Sequence, residues 1–232
     1  MGLLQLREEE ILNALKKILK YKFVLIGGYS VNAYTLPRFS VDCDIVIKDK
    51  NELKRIEKEL TKLRYKKKKV TNDLAYHGKF LRYEKEIQQN FRVSVDIFFD
   101  KILDRQTNST FDAEWIFKNS KIMEVKGKTT QNKLKLRVIN VDSLIVMKMI
   151  SCRTTDIRDV FMLMPKTKNP EWIRKEVTNR FDFRNRFSKI KDKITSKQFK
   201  DNLQGVYGHI DNTLFEKHKK AFLELGGNIK KK

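Results

Sequence analysis

FVLIGGYSVNAYTLPRFSVDCDIV, residues 23–46, decides the fold. An apolar run ends in a glycine pair, Gly27-Gly28. A short helical stretch follows, and a second apolar run then carries Asp42 and Asp44 at spacing two. The segment reads as strand, tight turn, helix and strand. Strand side chains alternate faces, so the two aspartates point the same way, about 6–7 Å apart. Carboxylates held side by side repel each other unless a cation lies between them, and the sequence places none there. The glycines permit a sharp turn and close approach of the backbone to a ligand, and the following helix offers unpaired N–H groups to an anion. Gly-Gly alone marks many tight turns, and Asp-x-Asp alone is often a solvated strand face. The joint pattern, with Ser30, Arg38-x-Ser40-x-Asp42-x-Asp44 and then Ile45-Val46-Ile47, points instead to Mg-nucleotide chemistry.

A third acid is expected on Phe91–Phe99, FRVSVDIFF, which alternates and is rich in β-forming residues. Asp96 falls mid-strand between Val95 and Ile97, where burial is costly unless the carboxylate is paired or binds a metal. With it the chain resembles the nucleotidyltransferases related to DNA polymerase β, whose pattern is a Gly-Gly or Gly-Ser turn, a helix, Asp-x-Asp and a later strand acid. Within that superfamily, GGYSVNAY followed by RFSVDCDIV is similar to the minimal nucleotidyltransferases of the abortive-infection type E toxin group. These carry a downstream helical lysine and a basic-acidic helix, matched here in Leu144–Leu163 by Lys148, Arg153, Arg158 and Asp159. The resemblance spans roughly residues 20–165 and departs from the family at Tyr29, where a small residue is usual after the glycines.

The resemblance implies two Mg2+ ions held by Asp42 and Asp44, with Asp96 on the catalytic ion and positioned to receive the acceptor's proton. It also implies that Gly27, Gly28, Ser30 and Ser40 line the nucleotide site. Arg38 and Lys148 would reach the triphosphate of an NTP. Asp159 either orients Lys148 or pairs with Arg153 or Arg158. A protein antitoxin is an implied partner.

The charge is the second guide. Fifty-one Lys and Arg against 29 Asp and Glu give a formal +22, an excess beyond what solubility needs. Lys66–Lys69, Arg180–Lys193 and Lys230–Lys232 concentrate it. A lysine-rich solvated surface is the plain alternative; an RNA partner is the favoured one. Cys43 and Cys152 are isolated, which argues against disulfide and zinc sites, and Cys43 should point into the core. His77, His209 and His218 are scattered and read as ordinary residues. No apolar run reaches the roughly 20 residues of a membrane span, and the N-terminal region lacks a signal-peptide pattern, so a cytoplasmic protein is expected.

The chain reads as α/β (α+β). A mixed-sheet nucleotidyltransferase core over residues 1–140 precedes a helical domain over 141–232. Expected elements are an amphipathic helix at Glu8–Lys20, strands at Lys22–Ile26 and Val41–Ile47, and a helix at Gly28–Tyr34. A helix capped by Asn51 runs to Leu63, and strands follow near Tyr65–Val70, Lys79–Tyr83 and Leu134–Val138. Helices follow from an Asp142 or Ser143 cap, with Ser196–Val206 and Thr213–Leu225 as the last two. The phenylalanines of RFDFRNRFSKI (180–190) read as core at helical spacing rather than as base-stacking platforms.

Three functions stay open. The first is a toxin-like transferase that adds nucleotides to an RNA such as a tRNA. The second transfers a nucleotide to a protein or small molecule. The third is a non-catalytic RNA-binding module.

Overall fold

The structure is a computed structural model that describes residues 2–68, 79–130 and 132–227. Lys69, Val70, His77 and Lys230–Lys232 lie outside those residues. The chain divides into two compact units. The first holds residues up to Ala33, Pro37–Leu103 and Thr110–Asn140; the second holds Tyr34–Leu36, Asp104–Ser109 and everything from Val141 onward.

The first unit is built on a seven-stranded mixed sheet in the order β3-β4-β5-β2-β1-β9-β8. Its strands are β1 (Val24–Ile26), β2 (Asp42–Ile47), β3 (Lys66–Lys68), β4 (Lys79–Gln88), β5 (Phe91–Phe99), β8 (Ser120–Lys126) and β9 (Lys133–Ile139). β2 runs parallel to β5, and β1 parallel to β9; the other neighbours are antiparallel. A separate two-stranded ribbon pairs β6 (Lys101–Leu103) with β7 (Thr110–Asp112). The central strands are apolar because both faces are covered: Val24, Leu25, Ile45, Val46, Ile47 and Ile97 are fully buried. Cys43 is buried among them, on the face opposite its aspartate neighbours, as alternation requires.

α1 (Leu3–Ile18) packs against β5 and α3 (Lys50–Lys62) through Ile11, Leu12, Leu15 and Ile18, its 3.6-residue stripe. α3 seats Leu53, Ile56 and Leu60. Its cap is Asp49 rather than Asn51: the Asp49 carboxylate accepts the backbone N–H groups of Asn51 and Glu52, and so starts the helix two residues earlier. Glu8, on the buried face of α1, is fully enclosed. Its carboxylate accepts the backbone N–H groups of Lys128 (2.5 Å), Thr129 (2.8 Å) and Thr130 (3.2 Å) in the β8–β9 turn, and the Thr129 hydroxyl as well. Burying a carboxylate is tolerable when every lone pair is used in this way.

The second unit is helical: α5 (Val141–Ser151), α6 (Thr154–Leu163), α7 (Pro170–Thr178), α8 (Phe183–Ile194), α9 (Phe199–Tyr207) and α10 (Asn212–Leu225). α5 begins at Val141, so Asp142 stands in its first turn. Its carboxylate accepts the N–H groups of Lys168 and Asn169, tying α5 to the start of α7. Phe183 and Phe187 are core residues, and Phe187 stacks on Phe222 with centroids 5.0 Å apart. No helix among the described residues is long and apolar enough to cross a membrane.

Candidate active site

The turn after β1 is sharper than the sequence suggests, because α2 (Gly27–Val31) starts immediately at the first glycine. Gly27 has φ +65°, a conformation that L side chains rarely adopt. Space forbids a side chain as firmly: a Cβ on Gly27 would sit 1.8 Å from Asp44 Oδ2, and one on Gly28 would sit 2.2 Å from Ser40 Oγ. The glycines therefore bring the backbone of the turn against the side chains of the carboxylate strand. Asn32 fixes the return loop. Its amide donates to the Arg38 carbonyl and its Oδ1 accepts the Arg38 N–H, both at 3.0 Å.

Sheet register assembles the acids. In the parallel β2–β5 pair, Asp42 lies opposite Ser94 and Asp44 opposite Asp96. Residues two apart on a strand share a face, and so do register partners on its neighbour. Asp42, Asp44 and Asp96 therefore gather on one face of the sheet. The Ser94 hydroxyl donates to Asp42 Oδ1. Asp96 is only 4 % exposed, and burial pushes its carboxyl above the ordinary carboxylate range against the opposing pull of Arg82.

Sequence reasoning missed Arg82. It stands opposite Asp96 in the antiparallel β4–β5 pair and grips it bidentately, Nε to Oδ1 at 2.8 Å and Nη2 to Oδ2 at 2.6 Å. The same Nη2 is 4.0 Å from Asp42 Oδ2. The hydrogen bonds that it donates to Asp96 hold the guanidinium protonated still more firmly than usual. The cation that the carboxylates require is thus supplied from a neighbouring strand. The three acids are hard oxygen donors that suit a divalent ion of the Mg2+ class. With Arg82 on Asp96, no group of three or more His, Cys, Asp and Glu among the described residues is arranged to hold a metal ion. The donor chemistry fits; the conformation is the one balanced by an internal guanidinium.

The remaining site candidates divide. Ser30 is fully buried and donates to the Gly27 carbonyl at 2.7 Å, so its hydroxyl shapes the turn. Ser40 donates to the Asp42 carbonyl at 3.2 Å, and Arg38 Nη1 to the Phe39 carbonyl at 2.9 Å. Tyr29 is 1 % exposed, packed into the core, and burial raises its phenol far above the usual value.

Lys148 and Asp159 belong to the helical unit. There Lys148 Nζ is 2.8 Å from Asp156 Oδ1 and 2.9 Å from Asp159 Oδ2, with both carboxylates buried. The Tyr207 hydroxyl donates to Asp159 at 2.9 Å. Asp159 therefore pairs with Lys148, and Arg153 turns to Asp156 instead, 2.7 Å away. Burial pushes the Asp156 carboxyl up, but Lys148 and Arg153 outweigh it and leave it below the usual range. Asp156 was not singled out in the sequence, although its spacing of eight from Lys148 across a helix corner was the available signal.

A glycine turn pressed against an Asp-x-Asp strand, with a third acid on the parallel neighbour, defines a nucleotidyltransferase of the polymerase-β-like class. The model of the family "Nucleotidyl transferase AbiEii toxin, Type IV TA system" matches residues 10–227. The chain belongs to that family, and it is a nucleotidyltransferase. Among solved structures it is similar to MenT4, the nucleotidyltransferase toxin Rv2826c of Mycobacterium tuberculosis H37Rv. That match has 15 % identity and a TM-score of 0.59, and covers 97 % of this chain and 83 % of that one. A putative nucleotidyltransferase from H. pylori matches at 16 % identity and TM-score 0.48, covering 97 % of this chain and 92 % of that one. A comparison with curated proteins found no match.

Proposed function

We propose that the protein transfers a nucleotide from an Mg-bound NTP to a hydroxyl of an RNA acceptor, acting in the cytoplasm as the toxin of a toxin–antitoxin pair. The observation that carries this reading is the convergence of Asp42, Asp44 and Asp96 on one sheet face beside the Gly27–Gly28 turn. Magnesium bound there supplies Lewis acidity and neutralises charge on the triphosphate and leaving pyrophosphate. Asp42 and Asp44 would hold the metal, and Asp96, once released by Arg82, would join them and receive the acceptor's proton. The bare backbone of Gly27 and Gly28 admits the phosphates to within hydrogen-bond reach, and Arg38 adds a cation beside that turn. The same reading makes Lys148, oriented by Asp156 and Asp159, a cation for the NTP.

The formal charge of +22 favours RNA over a protein or small-molecule acceptor, neither of which needs such a field. The test offers each labelled NTP in turn, with Mg2+, to total RNA and to lysate protein. Label in RNA, lost in Asp42→Asn and Asp44→Asn, is the expected result. Label confined to protein would transfer the reading to the second acceptor class, and full activity in either variant would remove the metal assignment.

A further inference from the structure

Within the helical unit, α6, α8 and the segment before α9 surround an open cavity of about 700 Å³. Arg153, Lys189 and Lys193 line it, with Asp192 as the one acidic group among its lining residues. Thr154 and Gln198 add neutral hydrogen-bonding groups. Lys189 and Lys193 are one helical turn apart, about 6 Å along α8. Neither has an ion-pair partner among the described residues. Arg153 gives Nε to Asp156, yet its side chain remains 62 % exposed. A fourth cation lies on the same helix: Arg186 is 6 % exposed, its Nε lacks a hydrogen-bond partner, and its guanidinium covers the Phe181 ring at 4.4 Å. Cations gathered around a concavity with so little counter-charge hold a standing positive potential.

We propose that this cavity binds the sugar-phosphate backbone of a single-stranded RNA, as the acceptor-holding surface of the transferase. The inference rests on the RNA-acceptor reading above and names where the strand is gripped. Its lining selects phosphates and not bases, because cations, an amide and a hydroxyl are what phosphate oxygens take. No aromatic side chain lines it, so there is no platform for a base. That also separates it from an NTP site, which would call for a base-binding wall and carboxylates for the accompanying metal. The step between the two lysines is on the scale of the step between neighbouring phosphates on an extended strand.

The test measures binding of a labelled oligoribonucleotide as a function of KCl for the unmodified protein and for Lys189→Gln with Lys193→Gln. Two lost phosphate contacts at a slope of about 0.7 each should flatten the log–log salt dependence by about 1.4 and weaken binding roughly 25-fold at 0.1 M salt. Lys16→Gln with Lys17→Gln, exposed on α1, removes the same charge as a control and should change binding far less. Thermal melting of both pairs should match the parent, and nucleotide affinity should be unchanged. An equal loss in the two double variants, or a loss in nucleotide affinity instead of RNA affinity, overturns the assignment. If the parent binds RNA and the α8 pair binds it equally well, the cavity fails and the RNA reading stands. If the parent binds no RNA, both fall.

Discussion

Arg82→Gln should make the protein less stable and at the same time more responsive to divalent metal. The substitution leaves Asp96 buried without its bidentate partner and removes a guanidinium 4.0 Å from Asp42. Breaking a buried pair from one side costs about 3–5 kcal/mol. The Arg82 side chain is 35 % exposed, so water screens part of that, and about 2–3 kcal/mol is the reasonable figure. For a chain of this size roughly 2–4 °C accompany each kcal/mol, giving a fall in Tm of about 4–12 °C without metal. Freed of the guanidinium, Asp96 presents both oxygens to the space shared with Asp42 and Asp44. A cation bound there at a hundred times its Kd returns about 2.7 kcal/mol, close to what the substitution removed. Differential scanning fluorimetry of parent and variant, with EDTA and across a Mn2+ series, reads both effects. A metal-induced rise in the variant no larger than in the parent would refute the reasoning, as would an unchanged Tm in EDTA.

Gly27→Ala should abolish transfer and lower stability by roughly 1–2 kcal/mol, since it joins a left-handed φ to a clash with Asp44; Gly205→Ala, where a Cβ meets nothing within 4 Å, is the neutral control in urea titrations. Lys148→Met should cost about 3 kcal/mol in the same titrations, because the buried Asp156 and Asp159 carboxylates both lose the ammonium between them, and adding Asp159→Asn should recover part of it. A loss under 1 kcal/mol would show that the pair is not structurally coupled. Stability should also fall from pH 7.5 to pH 5 through His218, whose ring is buried against Phe161 and whose pKa burial has lowered. A lowered folded value means that this contribution is complete above the unfolded pKa of about 6.5 and is lost as pH falls through that value to the folded one. His218→Gln should flatten the Tm profile in that window, and an unchanged profile would remove the histidine from the account.

The elements that sequence reading recovers are those with a strong period. Phe91–Phe99 coincides with β5, and the α3 stripe of Leu53, Ile56 and Leu60 is buried as its spacing requires. The meeting of Asp44 with Asp96 is half legible. Alternation fixes the face of each strand, but that β2 and β5 are parallel neighbours is a fact of topology. Arg82 shows where local reading stops. Counting back along the β4–β5 hairpin from the Gln88–Phe91 pair would set Arg82 opposite Ile97. An irregularity between Glu86 and Gln88 shifts the register by one, and Arg82 lands on Asp96. A one-residue slip exchanges faces, so this ion pair depends on a bulge that no local propensity announces. The Lys148–Asp156–Asp159 cluster similarly needs the corner at Cys152, which holds a positive φ of 48° without a glycine to signal it.

The enclosed carboxylate of Glu8 has a consequence for how the chain is born. Glu8 leaves the ribosome well before the amides that satisfy it, which belong to Lys128, Thr129 and Thr130, 120 and more positions later. At about 5–20 residues per second, synthesis separates the two by some 6–24 s. Throughout that interval α1 cannot take its native seat without leaving a buried charge unanswered. The helix therefore gains the full set of partners for its buried carboxylate only after the β8–β9 turn has emerged. The seat of the first helix is thus completed late in synthesis, by a turn far along the chain.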